Sequence, residues 1–242
     1  KRNAAAKVLW EVTNQSAGFA DLGDTYGAPT LATLPDGTHA LVIGNGYNNT
    51  GSGNAVLYLV NARTGALIAA IDTGEGSEDA PNGLSSPSLW DSNGDGRKDT
   101  AYAGDIDGNL WKFSLAAPYT APARVLHAAG KAITMAPGLM RHPLGGVMVT
   151  FVTGRMLTSD DASDTASHFA YGIWDGKPSS NTALLEQTLT EASYVGESSA
   201  TRVRIASRNP PDWRPGRHAG WRTRLPVGGE RVVGDGAFVT GS

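Results

Sequence analysis

Short apolar runs separated by glycine and proline turns dominate the chain, and no long stretch shows the 3.6-residue period of an amphipathic helix. The runs are about four to eight residues long, which is the usual length of a β-strand. Tight-turn sequences lie between them, for example PDG (35–37), RTG (63–65) and DG (107–108). This pattern predicts an all-β protein.

The same order of runs occurs three times. Each copy begins with a proline two residues before a leucine, and these prolines are Pro29, Pro87 and Pro137, spaced by 58 and then 50 residues. Each copy continues with a run that ends in glycine, a run with a central aromatic residue and a weaker fourth run. Four short strands at a period near 50 residues are typical of β-propeller blades.

We therefore predict a modified β-propeller, a partial or irregular ring of four-stranded antiparallel blades, in a single domain over residues 1–242. The predicted blade-like units are 27–73, 84–128 and 134–190, followed by an irregular tail, 191–242. KVLWEV (7–12) is interpreted as the last strand of an earlier blade. A β-sandwich has equally short strands and is the alternative, but repetition of whole units favours the propeller.

Three aromatic residues recur at one strand position, and two more lie in the tail. Tyr58, Trp111 and Tyr171 align between the copies, so we expect them to pack between blades rather than to stack on a ligand. Trp213 and Trp221 lie in the arginine-rich tail, which we interpret as a solvated arm. These two tryptophans are candidates for an exposed partner surface.

Charge and composition exclude several classes of protein. The 20 Lys and Arg against 23 Asp and Glu give a net charge of −3, which argues against nucleic-acid binding through a broad basic field. No apolar run approaches the ~18 residues of a membrane span, and the opening lacks a signal peptide, so targeting information is expected upstream. The chain has no cysteine, and its five histidines show no metal-ligand spacing, so we predict no enzymatic activity.

Oxygen-bearing side chains alternate in DSNGDGRKD (91–99), between the first two strands of the second unit. Hard cations such as Ca²⁺ bind several oxygens, and a bend at Gly96 would bring alternate positions together. The predicted Ca²⁺ ligands are the side chains of Asp91, Asn93, Asp95 and Asp99 and the carbonyl of Arg97. Tyr102 stands where a bidentate glutamate closes a helix-loop-helix site, so we expect an affinity on the order of micromolar to millimolar.

An ordinary Asp/Asn/Gly turn without an ion is the alternative for this loop. Three carboxylates within nine residues would repel one another there, which favours the metal site. SDDASDTAS (159–167) also contains several acids, but their spacing fits no cage, and we expect a solvated loop.

Several motifs in this order closely resemble the C-terminal domain of the PilY/PilC family of type IV pilus tip-associated adhesins and biogenesis factors. They are GNGYN (44–48), the TG turn (64–65), the loop 91–99, YAGD (102–105) with GNLW (108–111), TGR (153–155) and GERVV (229–233). The resemblance covers nearly the whole chain. It implies a modified β-propeller, calcium at the loop 91–99 and a further N-terminal region outside this sequence.

The same resemblance implies a function at the cell surface, at the pilus tip or outer membrane. Calcium binding would regulate pilus extension and retraction, and with them twitching motility and surface attachment. The expected partners are pilin subunits or minor pilins, and a host-surface ligand, with no nucleic acid and no membrane span. Two alternatives stay open: a quinoprotein-dehydrogenase-like propeller enzyme, and an outer-membrane assembly scaffold without a ligand of its own.

Overall fold

A computed structural model describes residues 8–195 and 200–234 of the chain. It divides into two compact units, residues 1–137 and 138–242, each with its own sheets. The single propeller domain over 1–242 stays a prediction. In the part of the chain that the structure describes, no helix is both long enough and apolar enough to cross a membrane.

The first sheet is a four-stranded antiparallel meander that begins within the predicted unit 27–73 and ends three residues beyond it, at Gly76. Its strands are β1 (Thr30–Thr33), β2 (His39–Gly44), β3 (Asn54–Asn61) and β4 (Leu67–Gly76), paired in the order β1-β2-β3-β4. The β1–β2 turn adopts the predicted PDG geometry, because Gly37 has φ +89° and Asp36 Oδ1 accepts the Thr38 N–H at 2.8 Å. The run of six buried residues in β3 marks it as a central strand.

The second sheet repeats this meander over the predicted unit 84–128. Its strands are β5 (Ser88–Trp90), β6 (Thr100–Gly104), β7 (Asn109–Ser114) and β8 (Ala123–His127), again paired in sequence order and all antiparallel. Inner strands β6 and β7 carry most of the buried residues, whereas β8 is largely exposed or half-buried.

The two meanders share one hydrophobic core. A single cluster contains fully buried residues of both sheets. They are Val42, Leu57 and Leu59 of the first sheet, Phe113 near the end of β7 in the second sheet, and Leu115 just after β7. Sheets that are apolar on both faces cannot remain soluble alone, so they stack on one another. This stacking of successive four-stranded sheets is the arrangement of propeller blades, and it confirms the predicted all-β fold class.

The N-terminal segment that was interpreted as a strand of an earlier blade has no strand in its described part, 8–12. It is held instead by Trp10, whose indole N–H donates to the Ala62 carbonyl at 3.1 Å. The Trp10 ring lies against Gly65, where a Cβ would come within 2.7 Å of the indole. Packing of Trp10 on the turn between β3 and β4 therefore holds this segment, in place of the expected strand pairing.

The second unit contains strands β9 (Gly138–Arg141), β10 (Val147–Val152), β11 (Phe169–Asp175), β12 (Ala183–Gln187), β13 (Leu189–Val195), β14 (Ala200–Ala206) and β15 (His218–Arg224). Five of them form a mixed sheet in the order β12-β15-β11-β10-β9. β13 and β14 form a separate antiparallel hairpin.

This arrangement corrects two predictions about the third unit. The fourth run, β12, does not pair with β11 as a meander would require, because β15 lies between them and pairs in parallel with β12. The tail 191–242, expected to be irregular, supplies part of β13, all of β14 and the inserted strand β15; its residues 196–199 and 235–242 lie outside the described residues. The insertion is sterically possible because Gly220 has no side chain: a Cβ there would lie 2.1 Å from the carbonyl oxygen of Gly172, the neighbour of its pairing partner Ile173.

The three recurring aromatic residues are buried, but of the three only Trp111 is shown to pack between two sheets, as was predicted for all of them. Tyr58 and Trp111 are 1% and 4% exposed, and Trp111 belongs to the core that the first two sheets share. Tyr58 packs instead on Phe19, with ring centroids 5.0 Å apart, in a cluster on the other face of the first sheet. Tyr171 stacks on Phe151 of the neighbouring strand at 4.9 Å. Their common role is packing, although the partner differs in each case.

Candidate functional site

The predicted metal loop, residues 91–99, is the connection between β5 and β6. Its ends are held together by a backbone hydrogen bond from the Asp99 N–H to the Trp90 carbonyl at 3.1 Å. The Asp99 carbonyl in turn accepts the Leu115 N–H at 2.9 Å. The loop is therefore fixed at its base, while residues 92–97 are exposed to solvent.

The Asp91 carboxylate accepts hydrogen bonds from the backbone of its own loop. Its Oδ1 accepts the Gly94 N–H at 2.6 Å, and its Oδ2 accepts the Gly96 N–H at 2.7 Å. Gly94 and Gly96 have φ of +80° and +85°, a backbone conformation that favours glycine. Desolvation raises the pKa of Asp91, but the backbone N–H groups of Gly96, Gly94 and Asp95 outweigh it and hold the pKa below its ordinary value. The folded loop thus favours the charged carboxylate.

Asn93 and Asp95 continue the same pattern of side chain to backbone hydrogen bonds. Asn93 Oδ1 accepts the Asp95 N–H at 2.9 Å, and Asp95 Oδ1 accepts the Arg97 N–H at 2.8 Å. Asn93 Nδ2 also donates to Asp95 Oδ2 at 3.2 Å. The side chains at positions 91, 93 and 95 therefore bond mainly to the backbone of the loop, which is the pattern of the alternative Asp/Asn/Gly turn, and the metal site stays a prediction.

Asp99 is oriented by two hydroxyl residues that were not predicted from the sequence. Its Oδ2 accepts the Ser92 N–H at 2.9 Å and the Ser92 hydroxyl at 2.7 Å, while its Oδ1 accepts the Thr100 hydroxyl at 2.7 Å. The signal available in the sequence was the pair of hydroxyl residues next to the first and last acids of the loop. Asp99 consequently closes the hairpin with its side chain as well as with its backbone.

The loop is also anchored to the first sheet. The Arg97 guanidinium donates to the Pro35 carbonyl at 2.5 Å, and the Lys98 N–H donates to the Thr33 carbonyl at 2.8 Å. Thr33 ends β1, and Pro35 lies in the β1–β2 turn. A change in the shape of the loop would therefore reach the neighbouring sheet through Arg97 and Lys98.

The donor chemistry of the loop fits calcium, since carboxylate, amide and carbonyl oxygens are the ligands that this cation takes. The Asp91 carboxylate has about four lone pairs, and three backbone N–H groups, those of Gly94, Gly96 and Asp95, contact it, so lone-pair capacity remains for a cation. Asp99 differs, because both lone pairs of Oδ2 are used by Ser92 and only Oδ1 keeps one. Within residues 8–195 and 200–234, no three His, Cys, Asp or Glu side chains are grouped closely enough to hold a metal ion. The five-ligand set stays a prediction.

The second acidic segment, 159–167, is not simply a solvated loop. It contains a short 3₁₀ helix, Asp160–Ser163, and Asp161 is only 4% exposed. Asp161 accepts the Arg155 guanidinium at 2.7 Å and the N–H groups of Leu157 and Thr158 at 2.9 Å each. Desolvation raises the pKa of Asp161, but these donors outweigh it and lower the pKa to about 2. This carboxylate has a structural role.

The two tryptophans proposed for an exposed partner surface are half-buried. Trp213 makes edge-to-face contacts with His142 and Trp174, with ring centroids 4.8 and 5.5 Å apart. The Trp221 indole lies over Gly172, where a Cβ would come within 2.4 Å of it. The arginine-rich segment that carries them contributes strand β15 to the five-stranded sheet, and its Trp213 packs against His142 and Trp174.

Comparisons with known proteins agree with the fold. A family model described as the PilY1 β-propeller domain matches residues 1–125 and 118–198. The type IV pilus biogenesis factor PilY1 of Pseudomonas aeruginosa is 36% identical, over 93% of this chain and 23% of that protein. A PilY1 homolog of Xylella fastidiosa is 32% identical, over 97% of this chain and 17% of that protein. The chain thus spans about a quarter or less of the length of these relatives.

A solved structure shows the same fold. The crystal structure of the Pseudomonas aeruginosa PilY1 C-terminal domain matches with a TM-score of 0.80 at 34% identity, covering 94% of this chain and 56% of that one. The stacked antiparallel sheets and this match define the class as a β-propeller domain. The chain belongs to the PilY1 β-propeller family, which confirms the resemblance recognised in the sequence.

Proposed function

We propose that this chain is the calcium-binding propeller portion of a type IV pilus biogenesis factor. Family membership supports the role in pilus biogenesis, since the relatives are named as biogenesis factors. The observation that supports calcium binding is the loop 91–99, in which the Asp91 carboxylate is held charged by backbone donors and keeps lone pairs for a cation. The function is binding and assembly, with no catalytic step.

The residues that would hold the ion are Asp91, Asn93, Asp95, the Arg97 carbonyl and Asp99. Bound calcium would supply positive charge that relieves the repulsion between the three carboxylates of the loop. Arg97 and Lys98 would then hold the loop in one position against the β1–β2 turn, through Pro35 and Thr33. The consequence is a fixed protein surface that spans the outer ends of two adjacent sheets.

The cellular role that follows is regulation of pilus extension and retraction at the cell surface. The fixed surface would contact pilin or minor pilin subunits, and at the pilus tip it would also present an adhesive face to a host ligand. An outer-membrane assembly scaffold would use the same rigid sheets without a calcium response. The two roles are therefore distinguished by whether pilus function depends on the loop 91–99.

The test combines calcium binding with a pilus assay. Asp91→Ala should reduce calcium uptake, measured by isothermal titration calorimetry, at least tenfold, because it removes the central carboxylate. Introduced into the full-length protein, the same change should alter twitching motility. Asp79→Ala, at an exposed acid in another loop, is the matched control and should change neither readout. Unchanged calorimetry in Asp91→Ala would refute the metal site, and altered binding with normal motility would favour the scaffold.

A further inference from the structure

Three Asn-Gly pairs occur in the chain, and they are Asn45-Gly46, Asn82-Gly83 and Asn93-Gly94. In such a pair the glycine nitrogen can attack the side-chain amide carbon of the asparagine, because glycine has no side chain that hinders the approach. Asn45 and Asn82 are completely buried, whereas Asn93 and Gly94 are exposed in the loop 91–99. The same reactive sequence therefore occurs in two different environments.

The side-chain amides of the two buried pairs are engaged in hydrogen bonds. Asn45 Oδ1 accepts the N–H groups of Val56 and Leu84, and its Nδ2 donates to two backbone carbonyls. Asn82 Oδ1 accepts the N–H of Gly83 itself at 2.8 Å, so the attacking nitrogen is directed at the amide oxygen. A buried amide that must break several hydrogen bonds to rotate loses free energy, so we expect both pairs to be inert.

At Asn93 the loop places a proton acceptor and a hydrogen-bond donor beside the reacting groups. The Gly94 N–H donates to Asp91 Oδ1 at 2.6 Å, so a carboxylate contacts the proton that the attacking nitrogen must lose. The Asp95 N–H donates to Asn93 Oδ1 at 2.9 Å, where negative charge develops as the nitrogen adds to the amide carbon. A nucleophile, a base and an oxyanion donor are thus all adjacent to one exposed amide.

We propose that Asn93 is a deamidation site whose reaction is promoted by its own loop. The Gly94 nitrogen forms a bond to Asn93 Cγ while Asp91 takes its proton, and the Cγ–Nδ2 bond then breaks as that proton is returned to the leaving ammonia. Water opens the resulting cyclic imide at either carbonyl and leaves aspartate or isoaspartate at position 93. The net reaction consumes one water and releases one ammonia, without an oxidant or a reductant.

Deamidation would change the predicted calcium site, and this consequence rests on the proposed function. Aspartate at position 93 would add a carboxylate to those of Asp91, Asp95 and Asp99, and calcium affinity depends on the number of charged ligands. Isoaspartate would instead lengthen the backbone of the loop by a methylene and displace the Gly94 N–H from Asp91. The two products would therefore bind calcium more tightly and more weakly, respectively, than the unmodified loop.

The reaction is tested by ageing the 242-residue chain in calcium-free neutral buffer and mapping its peptides by tandem mass spectrometry. We expect conversion at Asn93 in the folded chain, with Asn45 and Asn82 intact. The chain unfolded in guanidinium chloride is the reference, because it exposes all three pairs equally, and Asn93 should convert about tenfold faster in the folded chain. A folded rate at Asn93 equal to or below the unfolded rate would overturn the proposal.

The role of Asp91 is tested by a variant. Asp91→Asn keeps the size of the side chain but removes the proton acceptor, so conversion at Asn93 in the folded chain should fall about tenfold, to the rate of the unfolded chain. Asp79→Asn makes the same change of charge at an exposed acid of another loop and should leave the rate unchanged. Conversion of Asn93 at the wild-type rate in Asp91→Asn would overturn the assignment of Asp91 as the base.

Calorimetry with calcium separates the modification from the proposed function. Asn93→Asp, which reproduces one product, should bind calcium several-fold more tightly than the unmodified chain. Conversion at Asn93 with equal calcium affinity in these two proteins would support the modification site and count against the metal site. Calcium binding without conversion at Asn93 would overturn the deamidation proposal and leave the proposed function standing.

Discussion

The indole N–H of Trp111 donates to Asp105 Oδ2 at 2.7 Å, and the Asp105 side chain is completely buried. The same carboxylate accepts the Asn82 side-chain amide at 2.9 Å and both the backbone and side-chain N–H groups of Asn109, at 2.7 and 2.8 Å. Four donors from three residues, in two segments of the chain, thus converge on one buried carboxylate. This network joins β6 and β7 to the segment that enters the second sheet.

Asp105→Ala should destabilise the chain by about 3 kcal/mol or more, because it leaves several buried donors without an acceptor. Trp111→Phe removes only one of the four donors and retains a ring, so about 1–2 kcal/mol is expected. Urea unfolding followed by circular dichroism measures both free energies. The matched control is Asp107→Ala, at the exposed acid two residues away, which should stay within about 0.5 kcal/mol of wild type. If Asp105→Ala were as mild as this control, the network would not be a source of stability.

Asp161 makes the stability of the second unit depend on acid pH. Its pKa of about 2 lies below the ordinary value of 3.8, so its stabilisation is complete above pH 4 to 5 and is lost as pH falls towards 2. The difference in free energy of unfolding between wild type and Asp161→Asn should therefore shrink by about 2 kcal/mol from pH 6 to pH 2.

Urea unfolding at a series of pH values measures this difference directly. Asp160→Asn is the control for the general effect of acid, since Asp160 is the exposed neighbour in the same 3₁₀ helix. A constant difference between wild type and Asp161→Asn across that pH range would contradict the low pKa.

Gly96 should be required for calcium binding rather than for folding alone. Its φ of +85° costs any other residue about 1 kcal/mol, and no atom lies within 4 Å of the position a Cβ would take. Strain there would weaken the hydrogen bond from the Gly96 N–H to Asp91 Oδ2. Gly96→Ala should therefore lose about 1 kcal/mol of stability and, in calorimetry, bind calcium several-fold more weakly.

Gly130→Ala provides the matched comparison, because Gly130 also has positive φ, +72°, and open space around it. It should lose similar stability and leave calcium binding unchanged. Equal calcium affinity in the two variants would show that the geometry of the loop at Gly96 does not contribute to binding.

The first two sheets could be predicted from the sequence because each is a meander of consecutive strands. Runs such as AVLYLV (55–60) and NLWKF (109–113) carry the β-propensity, and local turns connect them, so contiguous sequence contains nearly all the information needed. The position of the loop 91–99 and its bend at Gly96 follow from the same local chemistry.

The second unit could not be derived in this way. β15 pairs with β11 across more than 40 residues, and its sequence, HAGWRTR, has few of the β-branched residues that mark a strand. The position of β15 is determined by tertiary packing instead. Gly220 lies against the carbonyl oxygen of Gly172, and the Trp221 indole covers the same glycine. Similarly, spacing alone did not reveal that Ser92 would occupy one oxygen of Asp99, because that depends on side-chain orientation within the loop.

The glycine contact between β11 and β15 is itself testable. A Cβ on Gly220 would lie 2.1 Å from the Gly172 carbonyl oxygen, a backbone atom that cannot move without breaking the strand pairing. Gly220→Ala should therefore destabilise the second unit by several kcal/mol, a loss large enough to expose its amides in hydrogen–deuterium exchange. Gly216→Ala, just before β15, has no atom within 4 Å and should cost only the strain of its φ of +79°, about 1 kcal/mol. Equal protection of β11 and β15 in the two variants would mean that close approach at Gly220 does not hold the inserted strand in place.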